Sequence, residues 1–110
     1  MFVMPRNIRK ILRELKEGLV KIYGDQLKAV YLFGSFARGG GKLPDSDIDV
    51  MVVLKEEFNY WDVSRRSSEF IAALCLEHDV VISRKFASDL EYRSSEMPLF
   101  VNVRNEGMTV

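Results

Sequence analysis

Gly34-Ser35-Phe36-Ala37-Arg38-Gly39 and, a short loop later, Asp45-Ser46-Asp47-Ile48-Asp49-Val50-Met51-Val52-Val53 are the stretches on which the reading of this chain turns. The first is a small-residue turn that follows an apolar run, residues 29–33. The second opens polar and becomes continuously apolar, the pattern of a buried strand. Successive strand side chains point to opposite faces, so Asp47 and Asp49 share one face while Ile48 and Val50 take the other. Two carboxylates held that close repel, and each resists losing its water. A cation between them resolves both costs, and hard oxygen ligands favour Mg²⁺. Gly34, without a Cβ, lets backbone N–H groups approach an anion, and Ser35 adds a hydroxyl. If Phe36 opens a helical turn, its free N–H groups favour phosphate further. The pattern implies a metal–nucleotide site and phosphoryl or nucleotidyl transfer.

Around these stretches the elements alternate. Ile8, Ile11, Leu12, Leu15, Leu19, Ile22 and Tyr23 recur at helical spacing, with Arg9, Arg13, Glu17 and Lys21 opposite. That predicts an amphipathic helix with Asn7 as N-cap and Gly24 as stop. Residues 29–33 read as a short strand, 39–44 as a glycine-rich loop, and 48–54 as the buried strand. A second helix is expected over 61–77, with Phe70, Ile71, Leu74 and Cys75 on one face, and a third strand over 80–83. Ser88 or Asp89 starts a short helical turn, and Pro98 suits the first turn of a last helix ending near Gly107. Helices alternating with strands indicate an α/β layer fold: a short mixed β-sheet with helices packed on one face, and the carboxylates and the Gly-Ser turn meeting at one sheet end.

A chain of 110 residues suits one domain, 1–110. Its 16 basic and 16 acidic residues cancel, which disfavours broad binding to a nucleic-acid backbone. One cysteine, Cys75, cannot make an internal disulfide and fits a reducing cytoplasm. The apolar start at residues 1–6 is too short for a signal peptide, and no stretch approaches the roughly 20 apolar residues of a membrane span.

Gly34-Ser35 followed by Asp47-Ile48-Asp49 resembles the signature of the polymerase-β-like nucleotidyltransferase superfamily. The Ala37-Arg38-Gly39 continuation and the closing Arg104-Asn105-Glu106-Gly107 look like the minimal nucleotidyltransferases, or MNT proteins. The superfamily has a third carboxylate on a later strand, and Asp79 of His78-Asp79-Val80-Val81-Ile82 matches it. The resemblance covers residues 29–107. It implies a palm-type α/β fold and transfer of AMP from ATP to a hydroxyl. Asp47, Asp49 and Asp79 would be the catalytic carboxylates, holding one or two Mg²⁺ ions. Asp79 would either complete a second metal site or accept the proton of the attacking hydroxyl. Gly34, Ser35 and Arg38 would orient the triphosphate. MNT proteins are commonly antitoxins paired with HEPN-domain toxins, which implies such a partner and a toxin tyrosine as acceptor.

Each residue also has a plainer reading. Gly34-Ser35 alone is an ordinary strand-end turn, and Asp45 belongs only to the turn before the strand. Arg38 could be a surface arginine or a partner for a site aspartate, Lys42 a solvated loop lysine, and Asp79 a cap of the second helix. His78, beside a helix end, suits a local hydrogen bond better than general-base work, and Cys75 reads as core. Arg65 and Arg66 read as a solvated helix face. A contrasting functional reading stays open: a binding module that neutralises a toxin by contact, with a weak nucleotide site.

Overall fold

Ile8, Ile11, Leu12, Leu15, Leu19 and Tyr23 are all buried, which makes the apolar stripe the inner face of a first helix. The computed structural model describes residues 4–42 and 46–110, so Leu43, Pro44 and Asp45 of the expected loop and turn lie outside the described residues. Helix α1 spans Arg6–Tyr23; Pro5, not Asn7, is its N-cap, and Asn7 lies within the first turn. Gly24 ends it with φ of 54°, as expected of a stop glycine. A 3₁₀ turn (Gly24–Gln26) leads into β1 (Leu27–Phe33), followed by β2 (Ile48–Leu54) and α2 (Tyr60–His78). Then come β3 (Ile82–Ser88), α3 (Asp89–Ser94), α4 (Pro98–Glu106) and the two-residue β4 (Met108–Thr109).

The sheet order is β3-β2-β1-β4. β1 runs antiparallel to β2 and to β4, and β2 runs parallel to β3, so the sheet is mixed. The parallel pair needs a crossover, which α2 supplies. Asn59 caps α2 by accepting from the Asp62 N–H at 3.2 Å, and Ser88 caps α3 by accepting from Glu91 at 3.1 Å.

β3 starts two residues later than the sequence suggests and runs five residues further, to Ser88. Arg84 and Lys85 look like the end of a strand. The ladder with β2 nevertheless continues from Ile48↔Ile82 to Leu54↔Ser88. Arg84 is accommodated because it donates to the Ser64 carbonyl at 3.1 Å and to the Ser67 hydroxyl, both on α2.

Helices cover both faces of the sheet, a difference from the one-sided packing expected. Val30, Leu32, Ile48, Val50, Val52 and Leu54 form the main core with α1 and α2. Met51, Val53 and Ala87 face the other way and pack with Phe100 and Val103 of α4. This two-sided cover is why the run Val50–Leu54 has no polar alternation: both faces of β2 leave water. Asp49 alone in β2 escapes full burial.

Candidate functional site: a carboxylate pair backed by a glycine turn

Asp49 stands near the start of β2, paired with Phe33 at the end of β1 and with Ser83 near the start of β3. The site therefore forms at the sheet end where β1 finishes and the two parallel strands begin. Asp47, exposed, precedes β2 by one residue. Burial is the largest influence on Asp49 and raises its carboxyl above the ordinary value; the Asp47 charge adds to the rise. Lys85 and then Arg38 pull it back down. The structure thus brings Asp47, Asp49, Arg38 and the unpredicted Lys85 into one electrostatic group.

Gly34 begins the turn with φ of 76°, a conformation side chains rarely adopt. A Cβ there would lie 2.5 Å from Asp49 Oδ2. The glycine is needed so that the chain can pass against the carboxylate. The segment 34–39 is a helical-type turn, closed by the Arg38 N–H donating to the Gly34 carbonyl at 3.2 Å and the Gly40 N–H to the Ser35 carbonyl at 2.9 Å. The N–H groups of Ser35, Phe36 and Ala37 have no backbone acceptor among the described residues. Free N–H groups at a turn beside a carboxylate pair suit an anion bridged to the pair by a cation. Phe36, 2% exposed, sinks into the main core and fixes the turn.

Arg38 is exposed and pairs with Glu106 of α4 at 3.5 Å, so the expected phosphate arginine already has a carboxylate partner. Lys42 is exposed, and its backbone N–H donates to the Ser46 hydroxyl at 3.1 Å. Asp79 is exposed and is the C-cap of α2, with φ of 53° in the left-handed region that Asp tolerates better than most residues. It lies two residues before Val81, whose carbonyl accepts from the Ile48 N–H at 2.9 Å. Its backbone is therefore at the correct sheet end, yet its carboxylate does not join Asp47 and Asp49 in a group of ligand atoms within 4.8 Å. Among the described residues, Glu14, Glu77 and His78 make such a group, with His78 Nε2 2.6 Å from Glu14. That contact joins α2 to α1 across 64 positions, so His78 makes a tertiary hydrogen bond in place of the local one expected.

The strand expected over 80–83 leaves Lys85 outside it, whereas β3 runs to Ser88 and includes it. Extending the alternation Ser83, Lys85, Ala87 would have put it on the aspartate face. Glu106 had no signal beyond its place in the closing motif. An apolar groove of about 410 Å³ between α1 and β4, lined by Leu12, Leu32, Met108 and Val110, contains none of these residues and is separate from the site.

Residues 8–102 match the nucleotidyltransferase domain family. The chain belongs to that family. A Methanocaldococcus jannaschii protein named as a candidate protein adenylyltransferase is 30% identical over 105 residues, 94% of this chain and 99% of that one. A solved candidate minimal nucleotidyltransferase superposes with a TM-score of 0.58 at 24% identity, covering 92% of this chain and 94% of the other. The MNT antitoxin complex with a tri-AMPylated Shewanella oneidensis HEPN toxin gives a TM-score of 0.53 at 21% identity, covering 94% and 67%. The protein is a nucleotidyltransferase with the fold of the minimal members. No helix among its described residues is long and apolar enough to cross a membrane.

Proposed function

We propose that residues 1–110 act as one minimal nucleotidyltransferase domain in the cytoplasm, moving AMP from ATP to a protein hydroxyl. The acceptor we assign is a tyrosine of a HEPN-type toxin, which this chain would silence as an antitoxin. The observation that carries the reading is Gly34 lying directly against the Asp49 carboxylate, beside the free N–H groups of the turn. The M. jannaschii relative, named as a candidate protein adenylyltransferase, supports a protein acceptor, and the tri-AMPylated toxin complex supports this class of partner.

Asp47 and Asp49 would hold Mg²⁺, since an all-oxygen pair under mutual repulsion fits a hard cation. Bound there, the metal supplies positive charge to the phosphate oxygens. Gly34 and Ser35 cradle the triphosphate with N–H and hydroxyl donors, and Arg38 can swing from Glu106 to its outer oxygens. The tyrosine oxygen would attack the α-phosphorus, the bond to pyrophosphate would break in line, and the proton would pass to Asp79. That role for Asp79 needs no third ligand position and agrees with its exposed cap.

One observation favours the contact-only alternative: among the described residues, Asp47, Asp49 and Asp79 do not form one group of ligand atoms within 4.8 Å. Intact mass spectrometry separates the readings. Wild type with ATP, Mg²⁺ and the partner should add AMP to the toxin, and Asp49→Asn should bind the toxin but leave its mass unchanged. Full neutralisation by Asp49→Asn with no adduct from wild type would establish the contact-only reading instead.

A further inference from the structure

The aspartate face of the sheet carries a cation that the functional reading does not use. In the parallel ladder Asp49 is level with Ser83 and Met51 with Lys85, so Lys85 lies on the same face as Asp49, one register step away on the neighbouring strand. With strands about 4.8 Å apart and about 3.3 Å of rise per residue, the two Cα atoms are about 8 Å apart. A lysine's four-carbon stem spans that gap. The neighbours of Lys85 on this face, Met51 and Ala87, are wholly buried, whereas Lys85 is exposed. Among the described residues Lys85 has no carboxylate partner within 4.0 Å, whereas Arg38 is tied to Glu106.

We propose that Lys85 is a phosphate-facing residue of the transfer site, its ammonium standing across from Asp47 and Asp49 and taking up charge on the bound nucleotide from the edge strand. The inference rests on the nucleotidyl-transfer reading and adds a residue to it. Two carboxylates and a triphosphate exceed the charge of a single divalent ion. Lys85, on the aspartate face and without a carboxylate partner among the described residues, is a positive charge that can offset the remainder. Before nucleotide arrives, the same ammonium offsets the Asp49 charge.

The plainer role for Lys85 is guarding the open edge of β3 against pairing with another chain, a common use of edge lysines. The two roles part on the sign of two measurements, made on wild type, Lys85→Gln and Lys85→Arg. The probes are Mn²⁺ alone, followed by the resonance of the free ion, and the Mg²⁺ complex of a non-hydrolysable ATP analogue, followed by calorimetry. Removing a neighbouring positive charge should let Lys85→Gln bind Mn²⁺ about three- to tenfold tighter. The same variant should bind the ATP analogue about tenfold more weakly, and Lys85→Arg should stay near wild type on both. Damage to the fold would weaken both ligands together and would overturn the proposal. Unchanged affinities in Lys85→Gln would also overturn it, as would tighter Mn²⁺ with unchanged analogue binding. If wild type itself binds neither probe, the nucleotidyl-transfer reading falls and Lys85 falls with it, whereas normal wild-type binding with an indifferent Lys85→Gln sinks Lys85 alone.

Discussion

At Gly34 two constraints coincide: a φ of 76° and a carboxylate oxygen 2.5 Å from where a Cβ would sit. Gly34→Ala should therefore cost about 1–3 kcal/mol from backbone strain alone. It should also displace Asp49, so denaturant unfolding and Mn²⁺ affinity should both decline, the latter about tenfold or more. An alanine variant with unchanged Mn²⁺ affinity would show that the glycine serves the turn and not the site. The Asp49 carboxyl is held above its ordinary value by burial and by Asp47. Because that folded value is raised, the carboxyl favours folding at low pH, and the contribution is lost as pH rises through the folded value. Metal-free Asp49→Asn should accordingly melt above wild type at neutral pH, with the gap closing as pH falls through the raised folded value and the aspartate is itself protonated. Added Mn²⁺ should reverse the order, because only wild type retains the full ligand pair. Scanning calorimetry with and without Mn²⁺ reads both effects.

Among the elements, the turn after β1 matters most, and Phe36 holds it in the main core. Phe36→Ala should cost about 3–5 kcal/mol, the usual loss for a buried phenylalanine. Nucleotide affinity should fall further than for an equally destabilising Leu15→Ala in α1, because only the former loosens the turn. On the opposite face Tyr31 of β1 stacks on Tyr92 of α3, with centroids 4.7 Å apart and rings 7° from parallel. Burial first, and the Tyr31 hydrogen bond second, push the Tyr92 phenol up from 10.0 to about 12. The neutral phenol is thus favoured by the fold; its contribution is complete below about pH 10 and is lost as pH rises towards 12. Tyr31→Phe should remove part of that shift, so ultraviolet titration should find Tyr92 ionising earlier. An unchanged titration would mean that burial alone sets its value.

For the whole molecule, the balance of 16 basic and 16 acidic residues leaves no net charge to draw a polyanion. Fluorescence anisotropy should find no binding to a random-sequence RNA below about 100 µM at physiological salt, the weak end of non-specific binders. Saturation at low micromolar RNA would point to a nucleic-acid acceptor in place of a protein. The sequence by itself determined the amphipathic α1, the buried β2, the capped α3, the Pro98 start of α4 and the meeting of Gly34 with Asp49 at one sheet end. Those features rest on local periodicity, turn chemistry and caps, which act between residues close in the chain. Tertiary structure decided the rest. β3 extends past Arg84 because α2 supplies oxygen partners for a guanidinium that looks strand-ending in sequence. Asp79 takes the left-handed cap of α2, and Lys85 comes onto the Asp49 face only through its register with β2. Register couples residues more than thirty positions apart, and no local pattern carries that information.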